Sequence, residues 1–202
     1  ILDRDYLVVH ILDGIVTHHE TSQDTVTRYD PALNTGAAAT ASNWTITSAQ
    51  DSNYTTGQHP QASHRKTKMN GQAQLDWAGS DYNYEYTLEH WLYLRLPHSL
   101  QTDNTYTLTI ESATHCAGNA EVTFDIFQSR SAAIHTNLVG YIADAPHKAA
   151  DLYYWMGDGG ARDYSSFQGN DVFLYNVDTG QSTVVGSVAH WMANGGDVFH
   201  RN

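Results

Sequence analysis

Apolar residues recur at every second position along most of this 202-residue chain, and no run of helical spacing exceeds about two turns. That period belongs to strands whose successive side chains point to opposite faces. Leu92, Leu94 and Leu96 alternate with Trp91, Tyr93 and Arg95. Leu7, Val9 and Ile11 define another face, followed by an expected turn at Asp13-Gly14 and a further apolar pair, Ile15-Val16. Tyr106, Leu108 and Ile110 share a face; Val122, Phe124 and Ile126 are assigned to the next strand, with Cys116-Ala117-Gly118-Asn119 as the turn between them. Val172–Val177 and Thr183–Val188 flank Asp178-Thr179-Gly180 and read as a hairpin. The pattern predicts an all-β protein.

The remaining segments set the organisation. Residues 31–42, rich in Ala, Thr, Asn and Gly, and 48–64, polar with few aliphatics, read as long loops around a short strand, Trp44-Thr45-Ile46-Thr47. Loops of that length in a compact domain are functional or are held down by a neighbour. The basic run His64–Lys68 reads as a solvated turn or strand edge. Gln128-Ser129-Arg130-Ser131 is a polar break between one finished strand and the next, so the chain divides into modules at 1–130 and 131–202, both expected to be β-sandwiches.

Charge narrows the partners. Ten Lys+Arg against 22 Asp+Glu leave a net charge of −12, the wrong sign for a nucleic-acid binder. No apolar run approaches the ~20 residues of a membrane-spanning helix. Cys116 is the sole cysteine, so no disulfide forms within the chain, and beside His115 on a turn it reads as an inert thiol. Three lysines amid abundant Asn, Thr, Ser and Tyr resemble the surface chemistry of extracellular β-proteins, and the expected location is secreted or cell-surface. In that setting Asn43-Trp44-Thr45 and Asn53-Tyr54-Thr55 are glycosylation sequons, with Asn43 and Asn53 the acceptors.

One segment carries a family resemblance. Ala133-Ile134-His135-Thr136-Asn137-Leu138-Val139-Gly140-Tyr141, followed by Asp144-Ala145-Pro146-His147-Lys148, resembles the opening of the immunoglobulin-like domain that precedes the catalytic barrel of glycoside hydrolase family 9 cellulases. The pattern rests on Asn137, Gly140, Tyr141, Pro146 and Lys148. Residues 1–130 resemble the additional N-terminal β-module of large cellulase-like proteins. The resemblance implies a non-catalytic accessory region whose partner is the downstream catalytic barrel. The family's Asp pair and Glu belong to that barrel, and Asp76-Trp77-Ala78-Gly79-Ser80-Asp81 differs in spacing and context from its Asp-Ala-Gly-Asp signature, so no catalytic residue is carried over. The 72 residues from Ser131 to Asn202 fall short of the ~100 of an immunoglobulin-like sandwich. The second module is therefore expected to be incomplete, its missing strands supplied either by a longer chain or by neighbouring subunits.

The residues themselves bear on three kinds of chemistry. Polysaccharide binding needs aromatic faces for sugar C–H groups and nearby polar groups for hydroxyls; the candidate stripes are Trp91, Tyr93 and Arg95, and Tyr82, Tyr84 and Tyr86. Burial of those aromatics would remove the assignment. For metal, His18-His19-Glu20 splays across two strand faces, which leaves Asp158, Asp163 and Asp171 as the carboxylates for a calcium ion, and solvated loop acids as the simpler reading. Glu85 and Glu89 form a carboxylate pair with no third group to make them an acid and a base. The expectation is an accessory region contacting polysaccharide; the alternative is a structural subunit of an extracellular assembly held by strand exchange, and a plain adhesin or lectin is a third.

Overall fold

A computed structural model describes residues 1–76 and 83–190. Two compact units emerge, Ile1–Arg130 and Ser131–Asn202. Both are built from antiparallel strands, and the longest helix among the described residues is the single turn α1 (Thr35–Ala38), capped by the Asn34 side chain.

In the first unit the strands are β1 (Tyr6–Leu12), β2 (Gly14–Thr17), β3 (Thr25–Arg28), β4 (Trp44–Thr47), β5 (Ala62–Gln74), β6 (Tyr84–Arg95), β7 (Asn104–Ile110) and β8 (Gly118–Phe124). One sheet has the order β1-β6-β5 and the other β4-β7-β8, while β2 pairs with β3. Alternation explains the packing. Leu7, Leu92, Leu94 and Leu96 from the first sheet join Trp44, Ile46, Tyr106 and Leu108 from the second in one buried cluster, with Leu33, Ala38, Tyr54 and Leu100 around it. Each fully buried aliphatic side chain here stabilises by roughly 1.5–3 kcal/mol.

The long loops are held by that core. The Trp44 indole donates to Ala38 O at 2.9 Å, and Ser63 Oγ donates to the same carbonyl at 2.7 Å. Asp51, almost fully buried, accepts from Tyr106 Oη at 2.7 Å and from Asn53 N at 2.9 Å. The Tyr54 hydroxyl donates to His98 O, and burial pushes its ionisation up to about 12. The second expected loop is shorter than the sequence suggests. From Ala62 onward the chain is strand, so His64–Lys68 lies within β5, on the edge of its sheet.

Three other local expectations are corrected. Asp13-Gly14 does not close a hairpin: β1 pairs with β6 and β2 with β3, so the chain leaves one sheet there and starts a separate ribbon. A side chain at Gly14 would put Cβ 2.4 Å from Thr27 O, which is why this crossing takes glycine. Gly118 and Asn119 open β8 rather than forming the turn, which falls earlier, at a single 3-10 turn over Ser112–Thr114. Ile126 lies beyond the end of β8 and is 63% exposed.

A β-bulge between Met69 and Gly71 bends β5, and the intervening Asn70 donates from Nδ2 to Gly14 O at 3.0 Å. Gly71 leaves room for Val16, whose Cγ2 would lie 2.9 Å from a Cβ there. The β2–β3 ribbon thereby covers Thr87, which is fully buried on the face of β6 opposite the leucines.

The second unit contains β9 (Ile134–His135) paired with β10 (Asp151–Leu152), and β11 (Asp171–Asn176) paired with β12 (Gln181–Ser187). The hairpin expected at 172–188 is present over 171–187, its second strand starting two residues earlier than expected. The strand expected over 150–156 is only two residues long, followed by an isolated bridge between Trp155 and Ala161. All of β12 is exposed, as are Leu174, Val184 and Val185. The resemblance residues have a local structural role, since they close the 136–150 connection between β9 and β10. Asn137 Oδ1 accepts from Val139 N and its carbonyl from Gly140 N. Gly140 has φ +92, the Tyr141 hydroxyl donates to Ala149 O, and Lys148 Nζ donates to Ala143 O and Ala145 O. Pro146 sits in the same connection, outside any strand. Residues 194–202, read from sequence as a loop entering a strand, lie outside the described residues.

Candidate functional site

The two aromatic stripes meet different fates. Tyr93 is fully buried, so its stripe is not an exposed sugar platform, and that assignment is withdrawn. Trp91 is half-buried: His10 stacks on it with ring centres 4.1 Å apart, and Lys68 Nζ lies 5.2 Å from its centroid. Arg95 is exposed at the end of β6. Beside Trp91, His10 Nε2 and Glu89 Oε2 are 2.8 Å apart, with Lys68 Nζ 4.0 Å from the other carboxylate oxygen. Burial works against ionisation of Glu89, but the His10 hydrogen bond, the Trp91 indole and the charges of His10 and Lys68 outweigh it and hold the carboxyl below its ordinary value.

The second stripe is described at two of its residues. Tyr84 is 45% and Tyr86 57% exposed, although they share a strand face with the buried Leu92 and Leu94. Tyr82 lies outside the described residues. β1 pairs with β6 only as far as Leu12 opposite Glu89, so the edge of β6 from Tyr84 to Leu88 extends past its partner on that side. A shallow groove of about 300 Å³ follows this edge, lined by Asp13, Arg28, Tyr84, Glu85, Tyr86 and Leu88. Met69, opposite Leu88 across the β5–β6 pair, is also exposed.

Charges in the groove are arranged in two groups. Arg28 Nη2 donates to Glu85 Oε2 at 2.8 Å and Nη1 reaches Tyr86 O at 3.5 Å. Asp13 is held at the sheet crossing, its N–H donating to Leu88 O and its carbonyl accepting from Tyr29 N. Its Oδ2 is 2.9 Å from Nε2 of the buried His90. His90 Nδ1 is 3.1 Å from Thr67 Oγ1 and 3.3 Å from Arg65 Nη1. A carboxylate only accepts, so the Nε2–H of His90 is given to Asp13. Asp13 Oδ1 is buried with no donor among the described residues.

The other candidates separate. Asp158, Asp163 and Asp171 form no metal-binding group, and none of three or more His, Cys, Asp or Glu occurs among the described residues. Asp163 instead accepts from Ser165 N at 2.8 Å, the main reason its carboxyl stays below the usual range. Glu85 and Glu89 each have a different cationic or imidazole partner and do not act together. Of the sequons, Asn43 uses its Nδ2 on Ala37 O at 2.8 Å, whereas Asn53 is exposed, with Nδ2 3.1 Å from Asp51 Oδ1. Cys116 is half-buried, and burial, followed by the Asp13 charge, pushes its thiol up, away from the reactive thiolate.

Asp13, Arg28 and His90 were not singled out by pattern. One trace was present: His90 occupies an inward position in the series Leu88, Leu92, Leu94, and a histidine there needs a buried partner. No helix among the described residues is long and apolar enough to cross a membrane. No protein-family model, curated protein or solved structure matches the chain.

Proposed function

We propose that this chain is a non-catalytic accessory region of a secreted, cellulase-like glycoside hydrolase, and that its first unit holds polysaccharide along the Tyr84–Tyr86 groove. The observation that carries the reading is the pair of exposed tyrosines on alternate positions of β6 beside a groove edged by Asp13, Arg28 and Glu85. Alternate positions on a strand lie about 6.6–6.8 Å apart. Ring faces so placed stack on successive apolar faces of a sugar chain, while the guanidinium and carboxylates exchange hydrogen bonds with hydroxyls. The accessory role rests on the resemblance carried by Asn137, Gly140, Tyr141, Pro146 and Lys148 in the second unit.

Affinity electrophoresis against a panel of soluble glycans tests the reading. Retardation by at least one glycan is expected, and it is lost in the Tyr84→Ala/Tyr86→Ala double variant but kept in Trp91→Ala. Migration unaffected by every glycan, or binding that survives loss of both tyrosines, would reject it.

A second reading, a structural subunit joined to its neighbours by strand exchange, is favoured by the two-stranded sheets of the second unit and its exposed Leu174, Val184 and Val185. Light scattering separates the two: this reading requires mass that grows with protein concentration, and a constant monomer mass eliminates it.

A further inference from the structure

Resting on the glycan-binding reading, we propose that the groove recognises two neighbouring free hydroxyls of a sugar ring, and that Arg28 and Glu85 read them as a pair. Arg28 closes β3 and Glu85 lies on β6, 57 positions along the chain. The β2–β3 ribbon brings them together: Gly14 stands opposite Arg28 in its ladder, and the Asp13 N–H is given to Leu88 O, so the end of β3 lies against the edge of β6. Arg28 Nη2 donates to Glu85 Oε2 at 2.8 Å, and Nη1 reaches Tyr86 O at 3.5 Å. The second contact holds the guanidinium at the strand edge, where both side chains line the groove, 54% and 44% exposed.

A guanidinium carries five N–H donors and no acceptor, and the two oxygens of a carboxylate only accept. With two donors in use, Arg28 keeps others for a ligand, and Glu85 keeps its second oxygen, Oε1. The pair therefore offers a donor and an acceptor side by side, fixed by the 2.8 Å contact between them. Hydroxyls on adjacent carbons of a pyranose ring present the complementary pattern, since they stand about one hydrogen-bond length apart and each can donate or accept. One oxygen takes an N–H from Arg28 and its neighbour gives its hydrogen to Glu85, both bonds of the strong, charge-assisted class. Alkylating the two oxygens removes the hydrogen that Glu85 accepts. Tyr86, 57% exposed in the same groove, supplies the apolar contact for the ring's C–H groups. The ligand class is a glycan whose rings keep adjacent hydroxyls unsubstituted.

Calorimetric titrations compare three β-1,4-linked glucose tetramers: the unmodified one, one methylated at every free O2 and O3, and one methylated at every O6. The unmodified tetramer is expected to bind about tenfold more tightly than the 2,3-methylated one, the scale of one charge-assisted hydrogen bond. The 6-methylated tetramer carries added methyl groups with its neighbouring hydroxyls intact, and is expected to bind within about twofold of the unmodified one. Glu85→Ala should collapse the tenfold ratio to within about twofold. An exposed ion pair contributes little to stability, so this variant is expected to fold. Arg28→Lys keeps a cation beside Glu85 but not the fork, and should lower the ratio as well. Equal binding of the unmodified and 2,3-methylated tetramers, equal weakening by both methylation patterns, or a ratio unchanged in both variants overturns this inference and leaves the glycan-binding reading standing. Binding of none of the three overturns it too, and the glycan-binding reading falls with it only when electrophoresis also finds no glycan retained.

Discussion

The Asp13 carboxylate accepts the Nε2 hydrogen of His90 at 2.9 Å, joining the point where the chain leaves β1 to the centre of β6. The two residues are 77 positions apart, and the bond fixes the crossing that forms the groove wall.

Removing the donor should cost more than neutralising the acceptor. His90→Leu leaves a carboxylate in a site that is only 18% exposed, and is expected to lose about 2–3 kcal/mol of stability. Asp13→Asn preserves a hydrogen bond and should lose about 1 kcal/mol or less. Urea unfolding followed by tryptophan fluorescence measures both; an equal loss in the two variants would show that the bond to His90 needs the carboxylate itself.

Gly14→Ala tests the crossing from the other side. Its Cβ would sit 2.4 Å from a backbone oxygen, and Arg28 Cα lies 3.1 Å away, so the β2–β3 ribbon has to shift. The expected cost is about 1–3 kcal/mol, the range for overpacking. Faster proteolysis within 14–28 should accompany it, and an unchanged digestion pattern would contradict the placement of the ribbon.

Acid should weaken the first unit through Glu89 and Asp24. Both carboxyls are held below their ordinary values, Asp24 mainly by the Gln74 N–H and Glu89 by His10, Trp91 and Lys68 against its burial. A depressed folded-state value means that the stabilisation is complete above the unfolded-state range of about 4 and is lost as pH falls through the folded-state value. Melting temperature is therefore expected to fall as pH drops below about 4, and less steeply in Glu89→Gln. Parallel profiles for the variant and the wild type would show that the His10–Glu89 pair does not contribute.

The 136–150 connection should depend on Gly140. Its φ of +92 disfavours any side chain, and alanine there is expected to cost about 1–2 kcal/mol locally. Tyr141→Phe removes the bond to Ala149 O and should loosen the same loop. Hydrogen exchange of the Tyr153 amide, which donates to Ala133 O beside β9, reports the loosening. Unaltered exchange in both variants would deny the loop its bracing role.

Alternating apolar positions determined the all-β class, the inward set Leu92, Leu94, Tyr106 and Leu108, and the hairpin of β11 and β12. These are local properties, because a strand's period of two assigns each residue to a face from its neighbours alone. The same pattern could not say which faces meet water. Trp91, Tyr93 and Arg95 share a face, yet Tyr93 is buried and Arg95 exposed; Tyr84 and Tyr86 share a face with buried leucines, yet are open. Burial depends on what long-range pairing lays against each stretch, and β1 stops short of Tyr84–Leu88 while the Met69–Gly71 bulge turns the β2–β3 ribbon across Thr87. Only the tertiary structure brings Asp13, Arg28 and His90 to one edge of β6, because contacts between residues tens of positions apart leave no periodic trace in the chain.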